Sequence, residues 1–328
     1  MSFPSELIHS DRLAELCAGG KNENEKIHNK NIHYTAIASL VELAALTCCP
    51  DMFISRDEGF GNSGFGEAGD NMAEMYLIWS PEETLKFSLN WNKLSANSSI
   101  EYCLVDENME SSIGGEGAIS CGKLSDPKAI KSFLEELADV TKEKVDDEEN
   151  EADDDDPPAP ALPDEAREKI LWMARSIGQK GSSGGVFGEA SPNKGSGKKA
   201  PIETEIIAQL PLAHFAELRS IMNSGEKETA EVNNDRLNYV TITALGELSA
   251  LTAARNITIR PDKGGKGYYA QLMWADGDEG LISIDFTPLR AGDPDIVLSF
   301  PDESKKLASD RLSAIGAELL QEGLKHRV

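Results

Sequence analysis

The stretch YTAIASLVELAALT, residues 34–47, decides the fold, because YVTITALGELSALT at residues 239–252 repeats it. The two segments are identical at 8 of 14 positions, and the shared residues include a tyrosine and a glutamate in each copy. The match continues outward, with LAEL at 13–16 aligned to FAEL at 215–218, MFISRD at 52–57 to ITIRPD at 257–262, MYLIW at 75–79 to AQLMW at 270–274, and FSLNW at 87–91 to ISIDF at 282–286. A loop around residues 59–69 is the chief difference. Self-similarity on this scale predicts a tandem internal duplication.

Each copy predicts the same succession of elements. An amphipathic helix near residues 6–17, or 206–222 in the second copy, comes first, and a more apolar helix follows it. Alternation of apolar residues with period two then marks four strands, and a closing helix ends the unit. The order α-α-β-β-β-β-α predicts an α+β fold of two domains, each an antiparallel sheet that helices cover on one face.

Apolar residues mark these elements and are the candidate core. In the first copy they are Ile37, Leu40, Val41 and Ala44 in the second helix, Met52, Ile54, Met75, Leu77, Trp79, Leu85, Phe87, Leu89, Trp91, Ile100, Tyr102 and Leu104 in the strands, and Ile130, Phe133, Leu134, Leu137 and Val140 in the closing helix. In the second copy they are Ile257, Ile259, Leu272, Trp274, Ile282, Ile284, Phe286, Ile296, Leu298 and Phe300 in the strands, and Leu312, Ile315 and Leu319 in the closing helix.

Composition separates the two repeats from a linker. Residues 1–145 hold the first repeat and residues 203–328 the second. Residues 146–202 contain an acidic run, a proline-rich stretch and a Gly/Ser-rich tether, which have too little apolar surface to form a core. Within this linker, residues 164–178 predict a short helix that Asp164 caps and Gly178 ends.

The acid excess limits the possible partners. The formal net charge is −25, and residues 1–145 alone contain 24 acidic and 12 basic residues, so the charge is not confined to the linker. Direct nucleic-acid binding is disfavoured because it depends on clustered Lys and Arg, whereas a protein partner with a basic surface fits. No apolar run is long enough to span a bilayer, so we expect no membrane partner. Five cysteines without a CxxC pair favour a reducing, cytoplasmic location.

Motifs that resemble nucleotide-binding loops lack the context that such loops require. GFGNSG at residues 59–64 matches GxGxxG, but a strand rather than a helix follows it. Residues 117–123 have the spacing of a phosphate-binding loop, but Leu124 stands where Ser or Thr must reach a magnesium ion. The five histidines have no metal-ligand spacing, and Cys48 and Cys49 fit small residues packed at a helix end. We therefore predict no catalytic, cofactor-binding or metal-binding residue.

The linker helix is the first candidate for partner binding. Ile170, Met173 and Ile177 fall on one apolar face of this helix, and Trp172 lies on the other side. Because so short a helix is marginal alone in water, another surface must cover this face. The face packs either on the first repeat or in a groove of a partner.

The repeated glutamates are the second candidate. Glu42 and Glu247 lie on the polar side of their helices, where we expect each to be exposed or to cap a neighbouring element. As a pair that recurs in both copies, they could also form part of a partner surface.

Three functions stay open from the sequence. The leading hypothesis is a non-enzymatic, acidic protein-binding factor (an adaptor, inhibitor or chaperone-like protein) with two related modules on a flexible tether. The second is an inhibitor that imitates nucleic acid and occupies the basic groove of a host or defence protein. The third is an enzyme with a site between the two repeats.

Overall fold

The computed structural model describes residues 7–19, 25–57, 72–91, 94–95, 97–109, 112–141, 161–177, 212–224, 230–264, 267–285, 295–300, 303–308, 318–319 and 321. Its helices are α1 (Ile8–Gly19), α2 (Glu25–Ala45), α3 (Pro127–Ala138), α4 (Asp164–Ser176), α5 (Ala213–Ser224) and α6 (Ala230–Thr252). Its strands are β1 (Asp51–Asp57), β2 (Met72–Ser80), β3 (Glu83–Asn90), β4 (Ser99–Val105), β5 (Ser112–Ser120), β6 (Asn256–Pro261), β7 (Gly267–Met273), β8 (Glu279–Asp285), β9 (Asp295–Phe300) and β10 (Glu303–Ala308). The mixture of helices and antiparallel sheet agrees with the predicted α+β class.

All ten strands form one antiparallel sheet in the order β10-β9-β8-β7-β6-β1-β2-β3-β4-β5. The two halves of the chain meet at its centre, where β1 pairs with β6 and places Ile54 opposite Ile257. Beside this seam, Arg56 Nη1 donates to the carbonyl oxygen of Ala254 at 2.9 Å. The seam therefore joins the halves by backbone pairing and by a side-chain contact.

Among the described residues, the two halves share one sheet and one hydrophobic core, and the division into two domains stays a prediction. Within its own half, each of β1 and β6 would be an edge strand with a row of unpaired N–H and C=O groups. Pairing the two edges satisfies both rows and extends the core across the whole sheet. The repeat pattern in the sequence marks each unit but carries no signal that the two edges fit each other.

Each half contributes five strands rather than the predicted four. The additional strands, SIGGEGAIS in β5 and ESKKLA in β10, are the two outer edges of the sheet. Glycine and charged residues disfavour strand structure but are common at edges, where they discourage pairing with another chain. These segments therefore lack the apolar alternation that marks the other strands.

Helices α2 and α6 pack against each other on one face of the sheet. Their close approach occurs at Gly246, where an added Cβ atom would lie 2.6 Å from Cγ1 of Val41.

The C-terminal ends of α2 and α6 have the same local structure. Cys48 and Ala253 both have a φ angle of 54°, and the hydroxyls of Thr47 and Thr252 both donate at 2.7 Å to the carbonyl three residues earlier.

The closing helix of the first half is confirmed as α3, which Asp126 caps by accepting from Lys128 N. The predicted linker helix is present as α4 and packs on α3, where Arg167 Nε donates to the carbonyl oxygen of Ala138 at 2.8 Å. For the second closing helix, Leu312 and Ile315 lie outside the described residues, and Leu319 is helical and buried. No helix among the described residues is long and apolar enough to cross a membrane.

The sheet has one covered face and one open face. The side chains that alternate toward the helices are buried, whereas most of those on the other side are half-buried or exposed. We call this second side, from β8 across to β4, the open face. Its side chains are Glu279, Leu281 and Ser283; Tyr269, Gln271 and Met273; Asn256, Thr258 and Arg260; Asp51, Phe53 and Ser55; Glu74, Tyr76 and Ile78; Lys86 and Ser88; and Glu101 and Cys103.

Truncation of the buried side of α4 should destabilise the protein. Ile170 is fully buried, and replacing such a residue with alanine costs about 2–5 kcal/mol. We expect Ile170→Ala to lower the urea midpoint accordingly, and Trp172→Ala, at a side chain 40% exposed, to lower it much less. An Ile170→Ala midpoint equal to wild type would contradict the packing of α4 on α3.

Candidate functional site

A glutamate from α2 caps the first turn of α1. Glu42 Oε1 accepts from the backbone N–H of His9 at 3.0 Å, and Oε2 accepts from the N–H of Ser10 at 2.8 Å. The Ser10 hydroxyl donates to the same Oε2 at 2.9 Å. The first N–H groups of a helix have no partner within it, and the helix dipole favours negative charge there. Glu42 therefore stabilises the N-terminus of α1 in two ways.

The second half repeats this arrangement at α5. Glu247 Oε1 accepts from the N–H of His214 at 3.0 Å, and Oε2 accepts from the N–H of Phe215 at 2.9 Å. Of the two alternatives expected for these glutamates, exposed or capping, the structure shows capping carboxylates whose side chains are fully buried.

The two caps are linked by histidines that cross between the halves. His9 Nε2 lies 2.6 Å from Glu247 Oε1, and His214 Nε2 lies 2.7 Å from Glu42 Oε1. An ionised carboxylate can only accept, so the proton on each Nε2 donates to it. Each glutamate caps the helix of its own half and binds the histidine of the other half. We call these four residues the His–Glu cluster.

Aromatic rings pack around the His–Glu cluster. The two imidazole rings lie 5.5 Å apart between centroids. The ring of Tyr34 meets His9 edge-on at 5.6 Å, and the ring of Tyr239 meets His214 edge-on at 5.7 Å. The repeated tyrosines therefore form part of the core that surrounds the cluster.

Burial and mutual interaction shift the ionisation of the cluster. Burial opposes ionisation of Glu42, but the hydrogen bond from His214 and the charges of His9 and His214 lower the pKa of this carboxyl below its ordinary value of 4.5. Burial likewise opposes protonation of His214, but the hydrogen bond to Glu42 and the charges of Glu42 and Glu247 raise its pKa above the ordinary 6.5. The shifts favour the charged form of both groups.

Three residues of the cluster are of the types that bind metal ions, and the distances between their atoms show whether they fit a metal site. Donor atoms of His9, His214 and Glu247 lie within 4.8 Å of one another. Tetrahedral zinc bonds of about 2.0–2.1 Å would hold ligand atoms roughly 3.3 Å apart. The observed separation of 2.6 Å between His9 Nε2 and Glu247 Oε1 is that of a hydrogen bond.

The outer nitrogens of the imidazoles give a second test. A metal-bound histidine usually donates from its other ring nitrogen to a carboxylate or carbonyl group. Nδ1 of His9 and Nδ1 of His214 have no hydrogen-bond partner among the residues that the structure describes. Both observations fit a hydrogen-bonded cluster better than a metal centre.

Paired histidine and glutamate side chains are also the usual groups of acid–base catalysis. All four members of the cluster are at most 1% exposed, so a substrate has no access to them in this conformation. Their hydrogen bonds are used for the helix caps and for the contact between the halves. The arrangement can hold the two halves in register, and a proton can move between each histidine and the glutamate that it contacts.

The partner-binding residues predicted on α4 lie in two environments. Ile170 and Met173 are fully buried, and Ile177 is half-buried against the same core. Trp172 is 40% exposed. The apolar face of α4 is therefore covered by the protein itself, and a docking role for Trp172 stays a prediction.

Sequence reasoning missed His9 and His214, because it sought metal spacing within one stretch of chain. A signal was available, since the offset of 205 residues between Tyr34 and Tyr239 also relates these two histidines. The alignment of LAEL at 13–16 with FAEL at 215–218 implies an offset of 202 and is wrong. The structure places α1 and α5 at an offset of 205, so the alignment slipped by nearly one helical turn.

Comparisons with protein-family models, with curated protein sequences and with solved structures find no match for this chain.

Removal of one member of the cluster should lower the free energy of unfolding far more than removal of one member of a surface ion pair. Loss of one partner of a buried charged pair costs about 3–5 kcal/mol, because the other charge stays buried. We expect this cost for Glu42→Gln and for His214→Gln, whose pKa shifts favour the charged forms, with a coupling of at least about 1 kcal/mol in a double-mutant cycle that measures urea unfolding.

The exposed pair Lys131–Glu135 on α3 is the matched control for this cycle. Pairs of this type couple by about 0.3–0.5 kcal/mol. Equal coupling energies for the buried and the exposed pair would contradict the role given to the His–Glu cluster.

The pKa shifts predict how stability depends on pH. The raised pKa of His214 adds stability that is complete below its ordinary value of 6.5 and is lost as pH rises through the folded pKa. The lowered pKa of Glu42 adds stability that is complete above 4.5 and is lost as pH falls through the folded pKa. We therefore expect the cluster to stabilise the fold most between these two values. Thermal unfolding of wild type and His214→Gln across pH should differ most in that window, and a difference that is independent of pH would refute the assignment.

Proposed function

We propose that this chain is a non-enzymatic protein-binding factor, an adaptor, inhibitor or chaperone-like protein whose partner has a basic surface. The observation that carries the proposal is that the histidine and glutamate pairs of the protein are buried while the chain as a whole is strongly acidic. The groups suited to acid–base chemistry are buried and used to join the halves, while acidic residues outnumber basic ones 57 to 32 over the chain. Such a field attracts basic partners and speeds their association.

We also propose that the two halves are tandem copies of one unit. Support comes from pairs of residues at a constant offset: His9 with His214, Glu42 with Glu247, and equal φ angles at Cys48 and Ala253. The five free cysteines support a reducing, cytoplasmic setting.

The proposed function predicts a salt-sensitive protein partner. Affinity capture with the full-length chain from a nuclease-treated lysate should retain basic proteins that salt releases, because exposed charges are screened within about 8 Å at physiological ionic strength. The purified partner should associate more slowly as salt rises, as stopped-flow mixing would measure.

Two outcomes would contradict the proposal. Capture that disappears with nuclease treatment would point to nucleic acid as the bound species. Binding of a protein partner with a rate and affinity that salt leaves unchanged would exclude an acidic surface as the cause of recognition.

A further inference from the structure

The open face mixes acidic side chains with aromatic and aliphatic ones. On the first half, the half-buried Phe53 of β1 lies beside the buried Tyr76 of β2, with ring centroids 6.0 Å apart. On the second half, the half-buried Tyr269 and Leu281 continue the apolar character, and Met273 is 38% exposed. Several apolar side chains that share one accessible face are a feature of surfaces that bind protein.

The basic residues of the open face are already paired with acidic residues of the same face. Lys86 Nζ lies 3.2 Å from Glu74 Oε1, and Arg260 Nε donates to Asp51 Oδ1 at 2.8 Å. Two further glutamates, Glu101 and Glu279, are exposed on β4 and β8. The face therefore carries a net negative charge, and Glu101 and Glu279 lie toward its opposite sides.

The two exposed glutamates belong to one row across the sheet. The register links Glu279 to Met273, Asn256, Ser55, Glu74, Ser88 and Glu101 in turn. Six strand spacings of about 4.8 Å separate its ends by roughly 29 Å, and three such rows cover an area on the order of 600 Å². That approaches the roughly 800 Å² that each partner buries in a standard protein interface.

We propose that the open face is the binding surface for a basic, amphipathic segment of a partner protein, with apolar side chains over Phe53 and Met273 and with Lys or Arg beside Glu101 and Glu279. This inference rests on the proposed function and names the surface that would carry it. A second copy of the chain fits poorly, because two acidic faces repel each other. Imitation of nucleic acid fits poorly too, because two of the carboxylates of the face are already paired with Lys86 and Arg260.

A labelled synthetic helix with leucine at positions i, i+3, i+4 and i+7 and lysine elsewhere is a direct probe. Fluorescence anisotropy measures its binding to the full-length chain. Two double charge reversals give a matched comparison: Glu101→Lys with Glu279→Lys on the open face, and Glu135→Lys with Glu165→Lys on the exposed sides of α3 and α4. Both change the net charge equally, and thermal melts check that both variants fold.

We expect the open-face double variant to weaken binding on the order of tenfold, and the helix-side variant by less than about twofold. Met273→Ser should weaken binding by about threefold without lowering the melting temperature. Equal loss in the two double variants would overturn the assignment of the open face but leave a basic partner in place. If wild type does not bind this probe but does capture a salt-sensitive partner, the amphipathic chemistry is wrong and the proposed function stands. Absence of both would overturn both proposals.

Discussion

Two helix N-termini, those of α1 and α5, meet inside this protein, and their unpaired N–H groups must be satisfied there. Glu42 and Glu247 supply the acceptors, and each also accepts from the histidine at the first turn of the opposite helix. Neither half can complete this arrangement alone, because the imidazole partner of each carboxylate belongs to the other half. The rest of the contact between the halves follows from it. Helices α2 and α6 cross at Val41 and Gly246, each next to one of the two carboxylates in the sequence, and β1 pairs with β6 between the same two halves.

A buried charged cluster specifies a structure more than it stabilises it. Apolar residues of similar volume could stabilise the interior equally well, since burying charges has a large desolvation cost. The His–Glu cluster makes any other register between the halves unfavourable in free energy. A shifted helix would leave a buried carboxylate or N–H group without a partner. Gly246 has a related role, since its missing side chain allows α6 to approach Val41 closely. Together these constraints explain how the two halves form one sheet.

Much of the fold could be predicted from the sequence, and the errors have physical causes. The apolar strands and the closing helix α3 were marked by strong periodicity, and Glu42 and Glu247 stood out because they recur. The edges β5 and β10 were missed because edge strands use glycine and charge instead of apolar alternation. The pairing of His9 with Glu247 was missed because it joins residues 238 positions apart, and because LAEL was aligned three residues out of register. A helix repeats its pattern every three to four residues, so a slip of this size preserves the apolar positions and conceals the error. Composition alone also does not show where the charged groups lie: the histidines and glutamates of the cluster are buried, whereas Glu101, Glu279 and Met273 of the open face are exposed.

The central claim is that the crossed cluster makes the two halves one cooperative unit. Differential scanning calorimetry of the full-length chain at a pH between 4.5 and 6.5 tests it most directly, since the shifted pKa values of Glu42 and His214 favour the charged forms of both groups there. The account predicts a single transition whose calorimetric and van't Hoff enthalpies agree. Two separate transitions, one for each half, would contradict it.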